Sequence, residues 1–395
     1  MGIGESSEKV KNVDCLAGWS RKNADKVVDY GQYRFFNRRS AGQLICMCLA
    51  HNGKGVTIKI RSFVLVSYRM IYDNHNRPIT YLRLAVTDRC NLRCFYCMPE
   101  EGIRYLPKQQ VLTYEEMERL VRVLARLGVA KVRITGGEPF VRAGLMPFLH
   151  RLSETPGLTD ISLTTNGVLT APHVADLAKL GIKSVNLSID TLDRERFHKI
   201  TRRDELPAVL NTLDALLSAG ITTKLNAVVM DGQNIDDLVP LAELTRELPV
   251  DVRFIEEMPF NGEGSHYPVL YWTHTRIVDH LRAHFPNLTK LPDSPFSTSA
   301  NYQIPGHRGT IGIIAAFSRT FCGTCNRIRL TAQGTLKTCL YDNGVLDVRE
   351  LLRRGDTDEQ LTAAFLRAFA HRPATGFEAE QNRTTVTESM ATIGG

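Results

Sequence analysis

Six of the nine cysteines fall in two groups whose spacing suits metal chemistry. Cys90, Cys94 and Cys97 stand at C-x3-C-x2-C spacing directly after an apolar, strand-like run. Cys322, Cys325 and Cys339 form a second triplet, split by a hairpin-like stretch with Gln333-Gly334 at its turn. Three thiolates can hold three irons of a four-iron cluster and leave the fourth iron to take a substrate or cofactor. Structural zinc is the competing use, but it takes four N or S ligands. Near the first triplet no fourth Cys or His is close in sequence, and for the second the nearest upstream candidate is His307. Tyr96, between two of the first cysteines, is either a side chain over the cluster loop or an ordinary core aromatic. One strand later comes Gly136-Gly137-Glu138-Pro139, where glycines let a ligand approach the backbone and a carboxylate can accept hydrogen bonds from an ammonium group.

The elements that must position these groups follow from periodicity. Short β-branched runs at 81–86, 131–135, 161–165, 184–189, 223–229 and 252–255 read as strands, with amphipathic stretches between them. The first intervening helix is well marked. Thr113 is its N-cap, Glu116 completes a capping box, Met117, Leu120, Val121 and Leu124 share a face, and Gly128 follows its end. Later helices stop at Gly181 and Gly220. Six strand–helix alternations imply a parallel α/β sheet with right-handed crossovers, either doubly wound or curved into part of a barrel. Beyond Asn261 the alternation lapses into a Gly-, Pro-, Ser- and His-rich stretch that reads as a connection through Pro305-Gly306-His307. Strands are then expected at 310–317, 327–331 and 335–340, and helices at 345–354 and 358–371.

Composition narrows the function classes. The chain has 395 residues, 43% hydrophobic and 23% charged, enough for a sizeable core. Of its 49 Lys+Arg and 42 Asp+Glu, 12 and 5 lie in the first 69 residues, leaving 37 of each for the rest. The body has no basic excess, which argues against a nucleic-acid-binding module. No apolar run approaches the roughly 20 residues that span a bilayer, no secretory apolar core is present, and an odd cysteine count favours metal ligation over disulfides in a reducing compartment. The expected location is the cytoplasm, with no membrane. Residues 1–69, which carry the stray Cys15, Cys46 and Cys48, read as a poorly ordered extension or a non-native start upstream of Met70; five acidic residues spoil the pattern of a mitochondrial presequence. N-terminal sequencing of the native protein checks that reading.

The first triplet and the Gly-Gly-Glu-Pro turn together resemble the radical S-adenosylmethionine superfamily. Further motifs resemble one family within it, the GTP-cyclising enzymes that open molybdenum-cofactor biosynthesis. These are Leu82 to Cys90, Cys97-Met98-Pro99, Arg133 to Pro139, Leu163 to Gly167, Asn186 to Asp190, Arg253 to Glu256, the second triplet and the terminal Ile393-Gly394-Gly395. The resemblance covers residues 70 to 395. It implies a partial (β/α)6 TIM-type barrel over 70–260 and a C-terminal α+β region, 261–395, carrying a second iron–sulfur cluster and the GTP site. It further implies two [4Fe-4S] clusters on the six cysteines and S-adenosyl-L-methionine held by Tyr96, Gly136, Gly137, Glu138, Ser188 and Met258. GTP would be held by Arg83, Lys131, Arg133, Thr164, Lys224, Arg253, Arg327 and Arg329, its guanine on the second cluster's open iron, with the C-terminal tail reaching into the site. No single catalytic residue is singled out.

The residues agree with a polyanionic substrate. There is no G-x4-G-K-[ST] phosphate loop, so a triphosphate must be met by scattered Arg and Lys. Any one of these taken alone reads as a solvated strand edge; Arg327 and Arg329 share a face of one strand. Implied partners are cyclic pyranopterin monophosphate synthase in the same pathway and an electron donor such as flavodoxin or ferredoxin. The oligomeric state is left open, a homodimer included. A peptide-modifying radical enzyme is the nearest alternative, though such enzymes usually carry more C-terminal cysteines. Glu256-Glu257 and Asp236-Asp237 read as surface charges, and the histidines as surface or loop residues.

Overall fold

The computed structural model describes residues 70–260, 269–383 and 388–394, together with the backbone of four strands nearer the N-terminus. The chain divides into two units, Met1–Ser67 and Tyr68–Gly395. In the first, β1 (Val28–Tyr30), β2 (Tyr33–Ser40), β3 (Gln43–Asn52) and β4 (Gly55–Arg61) form an antiparallel sheet in sequence order. Where the composition suggests an irregular extension, the described residues are strands. The pattern carries the reason, since Val56, Ile58 and Ile60 alternate with Thr57, Lys59 and Arg61 at a strand's period of two. Cys46 and Cys48 lie on β3, and Cys15 lies outside the described residues.

The second unit is built on one sheet. Its first six strands are β5 (Tyr81–Ala85), β6 (Lys131–Thr135), β7 (Asp160–Thr165), β8 (Ser184–Ser188), β9 (Thr222–Val229) and β10 (Asp251–Glu256), parallel and adjacent in sequence order. Each falls within a residue or so of its expected span. The helices between them are α1 (Tyr114–Arg126), α2 (Leu145–Ser153), α3 (Val174–Lys179), the pair α4 (Arg194–Thr201) and α5 (Leu206–Ser218), and α6 (Leu238–Glu247). The capping box of α1 is formed: Glu116 N donates to Thr113 Oγ1 (3.2 Å) and Thr113 N to Glu116 Oε2 (2.7 Å), a cap of roughly 1 kcal/mol.

The C-terminal part extends both edges of this sheet. The stretch expected as a plain connection contains α7 (His274–His284), β11 (Thr289–Lys290) and β12 (Ser299–Gln303). Its polar composition hides Ile277, Val278 and Leu281 on one helix face, and β12 reads Ser-Ala-Asn-Tyr-Gln, a weak strand signal. Next, β13 (Thr310–Ile314) pairs parallel with β10, while β14 (Arg327–Leu330) crosses to pair parallel with β5. Eight parallel strands result, in the order β13-β10-β9-β8-β7-β6-β5-β14, extended by the antiparallel β11-β12 at one edge and by β15 (Thr335–Lys337) and β16 (Leu346–Asp347) at the other. The C-terminal helices are α8 (Val348–Arg353), α9 (Asp358–Phe369), α10 (Gly376–Gln381) and α11 (Met390–Ile393).

The apolar core lies on the outer face of this sheet. Leu82, Leu84, Val132 and Ile134 pack on Met117, Leu120, Leu124 and Phe148, and farther round Leu225, Val252 and Phe254 pack on Val209, Leu238 and Leu281. The inner face carries Tyr81, Arg83, Lys131, Arg133, Lys224, Asn226, Arg253, Arg327 and Arg329, all lining one cavity of about 810 Å³. Strands from both ends of the parallel array reach that cavity, so the sheet curves around it as a partial barrel. Among the described residues no helix is long and apolar enough to cross a membrane.

Candidate active site

Chain direction places the two cysteine triplets at opposite ends of the barrel. Cys90, Cys94 and Cys97 follow the C-terminal end of β5. Cys322 and Cys325 precede β14, which runs parallel to β5, and Cys339 follows the antiparallel β15, so these three gather at the opposite, N-terminal end. All six line the same cavity.

The first triplet sits on a loop pinned by backbone hydrogen bonds from Arg93 N to Thr201 O (2.9 Å) and Phe95 N to Ile200 O (3.2 Å). Cys90 Sγ accepts from Leu92 N (3.4 Å) and Asn166 Nδ2 (3.6 Å). Burial, reinforced by Glu138, pushes the Cys90 thiol up to about 11, and burial likewise raises Cys94 and Cys97. Thiolates crowded out of water in this way are stabilised by a cationic metal centre, whose binding releases their protons. Three thiols suit a four-iron cluster with one open iron, whereas structural zinc takes four N or S ligands.

The second triplet is braced by a buried ionic network. Arg372 donates from Nη2 to Cys325 Sγ (3.1 Å) and Arg327 O (2.8 Å), from Nη1 to Cys325 O (2.8 Å) and Asp73 Oδ2 (3.2 Å), and from Nε to Thr338 O (2.9 Å). Asp73 also pairs with Arg77 at 2.7 Å, and Arg77 Nη1 donates to Cys322 O (3.1 Å). Burial would raise the Cys325 thiol, but Arg327 and Arg372 outweigh it and hold the group down at about 6; at Cys339 burial prevails and pushes the thiol up to about 11. Gly376 N donates to Cys322 Sγ (3.4 Å). His307 takes no part: its Nδ1 bonds Thr245 Oγ1 (2.8 Å), and its ring packs edge-on to Phe285.

Between the triplets, register stacks basic residues side by side. Arg329 pairs with Arg83, Arg83 with Arg133, and one layer toward the second triplet Arg327 pairs with Tyr81 and Tyr81 with Lys131. Buried Arg83 Nε, Arg133 Nη1, Arg327 Nη2 and Thr164 Oγ1 have no hydrogen-bond partner among the described residues. Arg83 loses affinity for its proton through burial and the charge of Arg329, while burial and Arg253 bring Lys224 down to about 8. Carboxylates meet only part of this charge: Lys131 pairs with Asp160 (2.6 Å) and Arg253 with Asp251 (2.6 Å). Arg133 Nε donates to Tyr81 Oη (2.5 Å). Unpaired cations in low dielectric are costly, and a bound polyanion supplies both the charge and the acceptors they lack. The C-terminal tail enters this space, with Arg329 Nη1 donating to Gly394 O (2.7 Å).

Comparison with known proteins agrees with this arrangement. A family model described as Radical SAM superfamily matches residues 84–245, and one described as Molybdenum Cofactor Synthesis C matches 250–377. The GTP 3',8-cyclase of Heliobacterium modesticaldum is 41% identical over 82% of this chain and 99% of its own length. The chain belongs to the GTP 3',8-cyclase family. Bovine and human Molybdenum cofactor biosynthesis protein 1 are 42% and 41% identical over 73% of the chain, which spans about half the length of these relatives (46% and 45%). Among solved structures, Streptococcus suis SuiB bound to S-adenosylmethionine superposes with a TM-score of 0.51 at 16% identity, over 73% of this chain and 68% of that one, a likeness of fold alone.

For this member of the cyclase family, nearly every residue singled out from the sequence reaches the common cavity. Tyr96, Gly136, Gly137, Ser188 and Met258 line it beside the first triplet, and all eight polar residues assigned to a triphosphate substrate line it too. Tyr96 is held there by donating to Asp190 Oδ2 (2.8 Å), and burial brings Asp190 up to about 6. Glu138 is the exception. It is fully buried, and its oxygens accept from Asn166 N (2.7 Å), Thr165 Oγ1 (2.9 Å) and Phe140 N (3.2 Å), so it fixes the turn's backbone instead of facing a ligand. The adjacent glycines have a packing reason as well: a Cβ would stand 2.5 Å from Thr87 O at Gly136 and 2.2 Å from Arg89 O at Gly137.

Two readings of surface charge are corrected. Glu256 is fully buried and accepts from His274 N (2.7 Å), Ser318 N (2.7 Å) and Ser318 Oγ (2.8 Å), tying α7 to the loop after β13. Asp237 is buried between Thr191 and Arg196. Arg372, Arg77 and Asp73 were not singled out from the sequence, and Asn166 and Asp190 stood there only as members of motifs, without a role. Apart from the i,i+4 pair Asp73–Arg77, the partners that place them lie tens to hundreds of residues away, beyond the reach of any spacing rule.

Proposed function

We propose that the chain cyclises GTP to (8S)-3′,8-cyclo-7,8-dihydroguanosine 5′-triphosphate, the first step of molybdenum-cofactor biosynthesis. One observation carries this reading: two cysteine triplets face each other through a single cavity whose guanidinium groups keep buried N–H donors unsatisfied among the described residues. Cys90, Cys94 and Cys97 would hold one [4Fe-4S] cluster, and Cys322, Cys325 and Cys339 the other. S-adenosyl-L-methionine held at the first cluster would supply, on one-electron reduction, a 5′-deoxyadenosyl group able to take hydrogen from C3′ of GTP, and closing the C3′–C8 bond to the 7,8-dihydro product would consume a second electron and a proton from the same donor and solvent. Its contacts are assigned to Tyr96, Gly136, Gly137, Ser188 and Met258.

The chain's own residues bind, orient and enclose. Arg83, Arg133, Lys131, Lys224 and Arg253 meet the triphosphate with Thr164, and Arg327 and Arg329 hold the nucleotide toward the second triplet. Arg329 in turn orders the tail through Gly394 O. Asp190 aims Tyr96, and Glu138 fixes the turn under the cofactor. The barrel wall and the tail keep water and reductant from a radical centre. The product passes to cyclic pyranopterin monophosphate synthase, and electrons come from a flavodoxin or ferredoxin. Residues 70–260 form the radical-generating part and most of the triphosphate contacts, and 261–395 supply the second cluster with Arg327, Arg329 and the tail of the GTP site. Anaerobic turnover with GTP, S-adenosyl-L-methionine and reductant should yield 5′-deoxyadenosine and the cyclised nucleotide in equal amounts. Neither appearing, with both clusters shown intact by iron and sulfide analysis, rejects the assignment.

A further inference from the structure

The loop bearing the first triplet has an inner side facing the cavity and an outer side covered by the C-terminal end of α4. On the outer side Arg93, His198, Lys199, Arg202 and Arg203, with Glu100 and Glu101, line a recess of about 560 Å³. Two arginines connect this recess to all three cysteines through the backbone. Arg202 Nη1 donates to Arg93 O (3.1 Å), next to Cys94, and to Met98 O (3.2 Å), next to Cys97; Arg93 Nη1 donates to Cys90 O itself (2.7 Å). From solvent, each cysteine is thus one hydrogen bond and at most one residue away. Arg202 holds this position with a left-handed backbone, φ 56°, that a non-glycine residue adopts only when its surroundings demand it. Beside it, Lys199 and Arg203 are exposed, and neither has a carboxylate within ion-pair distance among the described residues. The charge of residues 70–395 balances overall, so this concentration of cations is local.

The geometry points to this recess as the docking surface of an acidic one-electron donor protein, with Arg93 and Arg202 as the path of the electron to the first cluster. The inference rests on the proposed radical chemistry, which needs an electron delivered to a centre whose inner side faces the substrates. Transfer moves one electron from the donor's reduced prosthetic group to the oxidised cluster, and no bond is made or broken in the chain. Complementary charge at such a surface sets encounter rate and salt dependence more than intrinsic affinity.

The test uses the holoenzyme carrying Lys199→Glu with Arg203→Glu, two exposed positions outside the substrate cavity, and a flavodoxin as the probe. Binding of flavodoxin is measured by titration at several ionic strengths, and one-electron reduction of the cluster is followed by its paramagnetic signal. Binding and reduction by flavodoxin hydroquinone should each weaken about tenfold at low salt, and the difference should shrink as salt screens the surface. Reduction by methyl viologen radical, a small cation, should stay unchanged. Flavodoxin binding within twofold of the parent, or an equal loss with methyl viologen, overturns the docking assignment. A full viologen-generated cluster signal with normal 5′-deoxyadenosine formation shows the radical chemistry intact whichever way docking falls.

Discussion

Replacing Arg372 with Lys keeps a positive charge and removes the fork that braces the second triplet. The guanidinium makes five contacts of 2.8 to 3.2 Å to Cys325 Sγ, Cys325 O, Arg327 O, Thr338 O and Asp73 Oδ2, and Arg372 is only 3% exposed. One ammonium has three donors on a single atom and cannot serve carbonyls lying on different sides. At least two buried acceptors lose their partner, at about 1–3 kcal/mol each, for a total of about 2–6 kcal/mol. Set against a usual folding stability of about 5–15 kcal/mol, this is a large but survivable loss, and the outer apolar core is untouched. Thermal unfolding of the apoprotein should fall by on the order of 5–10 °C. Reconstituted iron should drop from about eight to about four per chain, with the first cluster still reducible. A variant that takes up the full iron complement and melts within about 2 °C of the parent refutes the bracing role. So does loss of both clusters together, which would mean the network holds up the whole fold.

Gly137→Ala should fail at the other triplet, because its Cβ would stand 2.2 Å from Arg89 O and 2.6 Å from Arg89 C. Overpacking of this kind costs about 1–3 kcal/mol, and iron analysis should show the first cluster lost while the second remains. Arg83→Met removes a buried cation that faces Arg329 and Arg133; the apoprotein should melt no lower than the parent, while calorimetric GTP affinity falls about 10- to 100-fold. Lys224, brought down to about 8 chiefly by burial, should make GTP binding weaken by up to about tenfold from pH 7 to 9, and Lys224→Met should abolish that slope. The sign for stability is opposite: from about 8 up to the ordinary lysine value the unfolded chain binds more protons at this group, so its contribution to apoprotein stability rises with pH.

The six central strands were legible because most are compact β-branched runs set off by amphipathic helices, and Thr113 with Glu116 marks one helix start without ambiguity. Cysteine spacing was legible for the same reason, being local. The sheet's full width was not. Strands β13 and β14 are neighbours in sequence, yet they join opposite edges of the parallel array, a choice made by tertiary packing. The mistaken surface assignment of Glu256 had a similar origin. Adjacent carboxylates do diverge on a strand, but one of them diverged inward, to donors supplied by His274 and Ser318 some 18 and 62 residues away. Glu138 shows the limit of motif chemistry: the carboxylate of the Gly-Gly-Glu-Pro turn accepts from the backbone and side chain around it, at Phe140 N, Asn166 N and Thr165 Oγ1.

The inner face of this barrel inverts the usual logic of a parallel sheet, whose strands are commonly apolar on both sides. Here alternation separates the tasks. Leu82 and Leu84 face the helices while Tyr81 and Arg83 face the cavity, and Ile328 and Leu330 face outward while Arg327 and Arg329 face in. The stabilising apolar area therefore lies outside the barrel, where about 25 cal/mol per Å² of burial can offset the repulsion of cations set in register within it. Two observations support that division: the guanidiniums are buried with donors unused, and the paired carboxylates are too few to neutralise them. Folding carries this cost so that a polyanion entering the cavity meets donors already in place, with little side-chain freedom left to lose. The sharp placement of charge, more than the presence of any one arginine, is what lets scattered side chains do the work of a phosphate loop.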